Sequence, residues 1–137
     1  MRDDEAFADE EMEPDPELNR ITNAIIGAAI AVHRELGPGQ LESCYEKALA
    51  IEFAFRCIPF ERQAPVLLKY RGQVVGEGRM DFLVERRVIV DLKAVEMLVP
   101  VHKVQMLAYL KMTKHKLGII INFNVPVLIH GIRRIAN

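Results

Sequence analysis

A chain of 137 residues, half of them hydrophobic, is the size of one domain around one packed core. No apolar run reaches the roughly 18 residues needed to span a membrane, and the acidic start lacks the basic-then-apolar layout of a signal peptide, so neither a membrane partner nor export is expected. The net charge of −1 hides an asymmetry: residues 1–17 carry nine Asp and Glu against Arg2, which leaves 17 Lys and Arg against 10 Asp and Glu in residues 18–137, a net +7. A basic body suits a polyanion partner. The acidic residues 1–17 read as a disordered solubilising tail, with a tail that folds over the basic face as the sharper alternative. Cys44 and Cys57 have no metal-ligand spacing and read as reduced thiols of a cytoplasmic protein.

In chain order, Leu18, Ile21, Ile25, Ala28 and Val32 recur at helical spacing and predict a helix to about Leu36. Gly37-Pro38-Gly39 ends it. A second helix is expected from about Gln40 to Arg56, with Leu41, Cys44, Tyr45, Ala48, Ile51 and Phe55 as its apolar stripe. Ala64 to Tyr70 and Gln73 to Val84 read as strands joined by Arg71-Gly72, a hairpin turn. Val88 to Ala94 is a third strand, and Pro100 opens a helix to about Lys114. Leu117 to Phe123 is a nearly continuous apolar run, as in a strand buried on both faces. Val125 to Ile135 completes the order ααβββαββ as an edge strand.

The chemistry concentrates in Met80-Asp81-Phe82-Leu83-Val84 and Val88-Ile89-Val90-Asp91-Leu92-Lys93, two apolar stretches separated by Glu85-Arg86-Arg87. A hairpin pairing Val84 with Val88 puts Asp81 opposite Asp91, with carboxylates roughly 5 Å apart. Alternation along the strand puts Lys93 on the face of Asp91. Buried charge of this kind is costly unless it is paired or holds a metal. Two carboxylates can share Mg²⁺ or Mn²⁺, which would activate a water and offset charge on a phosphorane-like transition state. Lys93 could orient that water or neutralise phosphate. The plain reading is a salt bridge between Lys93 and either acid, and on these residues alone the two readings stay open.

Gly39-Gln40-Leu41-Glu42-Ser43-Cys44-Tyr45 resembles the signature of the GxxExxY family, within the PD-(D/E)XK nuclease-like superfamily. The resemblance extends over about residues 18–137. It includes Val32 to Gly39 before the signature, Asp81, the run Val88 to Val95, and His102 with Gln105 to Lys111. Leu117 to Phe123 and Arg133-Arg134 complete it. It implies a restriction-endonuclease-like α/β fold, a mixed sheet flanked by helices with an αβββαβ core. The implied activity is hydrolysis of nucleic-acid phosphodiesters with Mg²⁺ or Mn²⁺. Carried over residue by residue, Glu42, Asp81, Asp91, Lys93 and Gln105 are the catalytic set, and Asp81, Asp91 and Glu42 are the metal ligands. Asp91 stands where the family more often has Glu, one methylene shorter.

Around that set, Glu42 opens its helix, where a carboxylate also stabilises the helix dipole. Tyr45, His33 and His102 are substrate or accessory candidates. Against that role, a satisfied core hydroxyl is as good a reading for Tyr45, and a helix-end or polar-network place is the better one for each histidine. Gln105 and Tyr109 share a helix face, with Tyr109 expected to pack. Lys103, Lys111, Lys114 and Lys116 are a basic rim or simply solvated. The expectation is a metal-dependent nuclease, on DNA rather than RNA. Its alternative is a nucleic-acid-binding or regulatory module that keeps the acids without turnover. Two-strand cleavage would favour a homodimer.

Overall fold

The computed structural model describes residues 15–137, so the expected disorder of residues 1–14 lies outside the described residues. Helices α1 (Pro16–Leu36) and α2 (Glu42–Phe55) come first. Strands β1 (Phe60–Tyr70), β2 (Gln73–Val84) and β3 (Val88–Lys93) follow, then α3 (Pro100–Thr113). Strand β4 (Leu117–Asn122), a 3₁₀ turn (Leu128–Gly131) and β5 (Ile132–Ala136) close the chain. The five strands form one mixed sheet in sequence order, antiparallel except for β3 and β4. Parallel neighbours need a crossover, and α3 provides it.

The sheet lies between two helical layers. Ile21, Ile25, Val32, Leu49 and Phe53 of α1 and α2 pack on Phe82, Val84, Val90, Leu92, Ile119 and Ile121. Met106 and Leu110 of α3 pack on the other face, against Leu83, Ile89 and Ile120. A side chain at Gly118 would strike Met106, so a bare backbone lets α3 come down onto β4. Phe53, Phe60 and Phe82 meet with centroids 5.2 to 5.6 Å apart, an aromatic knot that contributes about 0.5–1.5 kcal/mol per pair beyond burial.

Four boundaries differ from expectation. Helix α1 starts at Pro16 because the Asp15 carboxylate accepts from Glu17 N (3.0 Å) and Leu18 N (3.2 Å), so residues 15–17 belong to the fold and not to a tail ending at residue 17. Asp15 also pairs with Arg87 at 3.1 Å, and Arg20 with Glu85 at 2.8 Å, tying the helix start to the β2–β3 turn. Strand β1 begins at Phe60, four residues early. Helix α2 begins at Glu42, directly after the Gly37–Gly39 loop. The final segment is no single strand: it runs through the 3₁₀ turn before β5.

One irregularity positions the site. The β1–β2 ladder pairs Arg62 with Phe82 and Ala64 with Met80 but skips Gln63 opposite Asp81. Gln63 has φ 55°, a left-handed backbone in mid-strand. Phe60 and Phe82 accordingly face the α1–α2 layer, whereas Ala64, Val66 and Met80, of the same parity, face α3. Pairing of β2 with β3 stops in the same place, with only Phe82, Leu83 and Val84 bonded to Val90, Ile89 and Val88. Beyond it, β1 and β2 continue as a two-stranded arm.

Candidate active site

Asp81 and Asp91 sit where the arm leaves the sheet. The register of Val84 on Val88 is the one expected, so Asp81 lies opposite Asp91. Asp81 Oδ2 accepts the Leu92 N–H at 2.7 Å, replacing the ladder bond that β2 no longer makes. The two carboxyls are hydrogen-bonded to each other, and this contact favours the protonated form of Asp81. Burial first, then the charge of Asp91 and the bond to it, raise Asp81 to about 8.

Lys93 Nζ lies 2.9 Å from Asp91 Oδ2, with both side chains less than one-fifth exposed. The salt bridge runs along β3, between residues two apart on one face. Burial works to lower the lysine, but Asp91, then Glu42 and Asp81, outweigh it and hold Lys93 above its ordinary value. Lys93 is therefore a cation at neutral pH and has no lone pair for general-base work. The exit from β3 is fixed by Asn122, a buried side chain bonded to both Val95 N (3.1 Å) and Val95 O (2.9 Å).

Glu42 approaches from the start of α2 and accepts a hydrogen bond from the Ala94 N–H. Burial raises it, opposed by Lys93 and aided by Asp91. The loop before it explains the approach. Gly37 and Gly39 have φ 66° and 95°, conformations that favour glycine. The buried Tyr45 hydroxyl donates to Gly37 O (2.5 Å) and accepts from Gln40 N (3.1 Å), while its ring stacks on Phe123 at 4.4 Å. His33, also buried, bonds through Nε2 to Val125 O at 2.8 Å. Tyr45 and His33 thus have polar atoms committed to backbone, and Tyr45 holds the loop that leads into Glu42.

His102 stands at the head of α3. Its side-chain Nδ1 accepts from Val99 N at 3.1 Å and its backbone N–H donates to Val99 O at 3.0 Å, a reciprocal cap. Burial first and Lys93 second lower it, so the imidazole is neutral with its proton on Nε2. Gln105 is exposed, and its amide donates to the Tyr109 hydroxyl at 3.3 Å rather than to the acids. Tyr109 packs on the arm: a side chain at Gly78 would strike its hydroxyl.

Two polar neighbours were not anticipated. Gln63 Nε2 donates to Glu46 Oε1 (2.5 Å) and to Asp81 Oδ1 (3.4 Å), and Arg62 Nε holds Glu46 Oε2 at 2.8 Å. Glu46 lies one turn after Glu42, and its charge reaches both Glu42 and Asp81. The i, i+4 spacing of Glu42 and Glu46 was the available signal. Gln63 left none, because its role depends on a left-handed residue inside a strand.

Among the described residues no group of three or more His, Cys, Asp or Glu forms a metal cage. The donor chemistry fits a hard divalent cation nonetheless. Asp81 and Asp91 offer carboxylate oxygens held close enough to share a proton, which a dication would displace. Mg²⁺ is commonly held by one or two carboxylates, with water and substrate phosphate supplying the rest.

The model for the PD-(D/E)XK nuclease superfamily matches residues 19–135. The chain belongs to this superfamily. Its mixed sheet between helices is the restriction-endonuclease-like fold, and nucleases of the PD-(D/E)XK superfamily generally use divalent metal ions. Comparisons with curated proteins and with solved structures find no match. No helix among the described residues is long and apolar enough to cross a membrane.

Proposed function

We propose that this PD-(D/E)XK protein is a GxxExxY-type nuclease that hydrolyses DNA phosphodiesters with Mg²⁺ or Mn²⁺. The observation that carries the reading is the convergence of Asp81, Asp91 and Lys93 where the arm parts from the sheet, with Lys93 Nζ 2.9 Å from Asp91 and the two carboxyls within hydrogen-bonding reach of each other. Asp81 and Asp91 hold the metal, and Glu42 joins them directly or through water. When bound, the cation activates a water and neutralises charge gathering on the scissile phosphate. Lys93, fixed as a cation, draws the phosphate oxygens toward Asp91 and stabilises the added negative charge. Gln105 orients water or Lys93 from α3. His102, neutral and near enough to Lys93 to feel its charge, offers an accessory donor to phosphate. The free thiols of Cys44 and Cys57 suit a cytoplasmic protein, and cutting both strands suits a dimer.

The test is incubation of linear and circular, single- and double-stranded DNA with Mg²⁺ or Mn²⁺, beside Asp91→Ala and Lys93→Ala. Metal-dependent products absent from both variants are expected, with folding intact by circular dichroism. Unchanged cleavage by a clean Asp91→Ala preparation would sink the reading. Salt-dependent DNA binding without any products would instead assign a non-catalytic module that retains the fold.

A further inference from the structure

Among the described residues, no layer covers the tip of the two-stranded arm beyond the site. Leu67, Leu68, Tyr70, Val74 and Val75 are 44 to 66% exposed, on both faces of the ribbon. An isolated hairpin with bare apolar faces is marginal in water. From Ala64 and Met80 to Tyr70 and Gln73 the paired ribbon extends roughly 20 Å. An extra residue at Val75 shifts the register near the tip and adds twist. The turn itself is Arg71-Gly72, with φ 49° and 78°, so an arginine occupies a left-handed position where glycine or asparagine is less strained. The Arg71 guanidinium lies 6.0 Å from the Tyr70 ring centroid. Among the described residues, neither Lys69 nor Arg71 has a carboxylate partner; Arg79, nearer the base, is paired with Glu77.

We propose that this arm is a DNA-gripping ribbon that enters the major groove beside the site, which rests on the nucleic-acid reading above. Charge decides the class of partner: two cations at an apolar tip, without a carboxylate partner among the described residues, call for a polyanion with apolar edges. Shape decides the form. The major groove of B-DNA, about 12 Å wide, admits a two-stranded β-ribbon and displays thymine methyl groups there. The major groove of A-form RNA is too deep and narrow for side chains to read. Val74, Val75 and Leu67 then face base edges and sugars, while Lys69 and Arg71 reach the phosphates on the groove walls. The root of the ribbon is Asp81, so a groove-bound arm brings a flanking phosphate toward the acids.

The experiment measures binding by fluorescence anisotropy in EDTA, with short duplex DNA, duplex RNA of the same sequence and single-stranded DNA. The proteins are the full chain, the Lys69→Glu/Arg71→Glu variant and the Val74→Ser/Val75→Ser variant, each checked by thermal melting. Expected is a preference for duplex DNA of about tenfold or more over the other two. Charge reversal weakens binding about tenfold or more and flattens the slope against log salt by about two, as for two lost phosphate contacts. Duplex RNA bound as tightly as DNA overturns the proposal, as does unchanged affinity in both variants. So does a dimer that the Val74→Ser/Val75→Ser variant dissolves with DNA affinity intact. Arm-dependent DNA binding without cleavage by the full chain would remove the nuclease reading and leave the ribbon standing.

Discussion

The backbone N–H of Leu92 is bonded not to a strand but to the side chain of Asp81, at 2.7 Å. One carboxylate therefore ends a ladder and lines a site. Asp81→Asn keeps an oxygen for Leu92, whereas Asp81→Ala leaves that N–H without its acceptor, at a cost of about 1–3 kcal/mol. The expected result is a near-normal melting temperature for Asp81→Asn, a lowered one for Asp81→Ala, and loss in both of the stabilisation that Mn²⁺ gives the parent. An undiminished Mn²⁺ shift in Asp81→Asn would remove Asp81 from the metal site.

The raised Asp81 has a consequence for the metal-free protein. Its folded value of about 8 lies above its ordinary 3.8, so between those limits the native state binds the extra proton and the unfolded chain does not. Stability must then fall as pH rises from about 4 to about 8, opposite to a salt-bridged aspartate. Denaturant unfolding across this range in EDTA should show the decline, and Asp81→Asn should flatten it. A parent whose stability climbs steadily over the same range would contradict the shared proton.

Lys93 is held protonated by Asp91, Glu42 and Asp81, so its part is charge and position. Lys93→Ala should slow cleavage by at least about 100-fold. Lys93→Arg keeps the charge on a different shape and should retain measurable activity. A limb near neutral pH in the rate profile that vanishes in Lys93→Arg would show a deprotonating lysine instead.

Tyr45→Phe removes one hydroxyl that fastens two backbone groups of the loop ahead of Glu42. The ring and its stack on Phe123 survive, so the loss should be about 1–3 kcal/mol. Hydrogen exchange at Gly39 and Gln40 should quicken with it. Unaltered stability and exchange would show that the glycines alone hold the loop.

Gln63 links Glu46 to Asp81. Gln63→Leu should leave Asp81 less well oriented, weakening Mn²⁺ binding severalfold while the fold persists. Gln63→Gly relieves the left-handed backbone but also loses the amide, so a more stable protein with equally weak metal binding is expected. Wild-type Mn²⁺ affinity in both would reduce the network to scaffolding.

The parts legible from sequence are those in which side-chain periodicity and packing agree. The rungs Val84–Val88 and Phe82–Val90 followed from two apolar runs and a charged turn, and with them the facing of Asp81 and Asp91. The apolar run Leu117–Asn122 is indeed buried throughout. The start of β1 was hidden because Glu61-Arg62-Gln63 interrupts the alternation: Arg62 and Gln63 reach for Glu46, and Gln63 reverses which face its strand presents. The 3₁₀ turn was missed because Leu128, buried at its start, and Ile132, buried just after it, resemble strand residues in a linear reading. The partner of Gln105 was beyond reach for a different reason. An exposed amide bonds to whatever lies nearest, here Tyr109, and spacing along a helix does not rank its choices.

The three rungs joining β2 to β3 divide the site between two bodies. Asp81 lies one residue past the last rung, on the strand that becomes the arm, while Asp91 and Lys93 lie on the central sheet. What spans that seam is side chain: the Asp81 carboxylate reaches Leu92 N and Asp91, so the group that would grip a cation is also the stitch that closes the split between two strands.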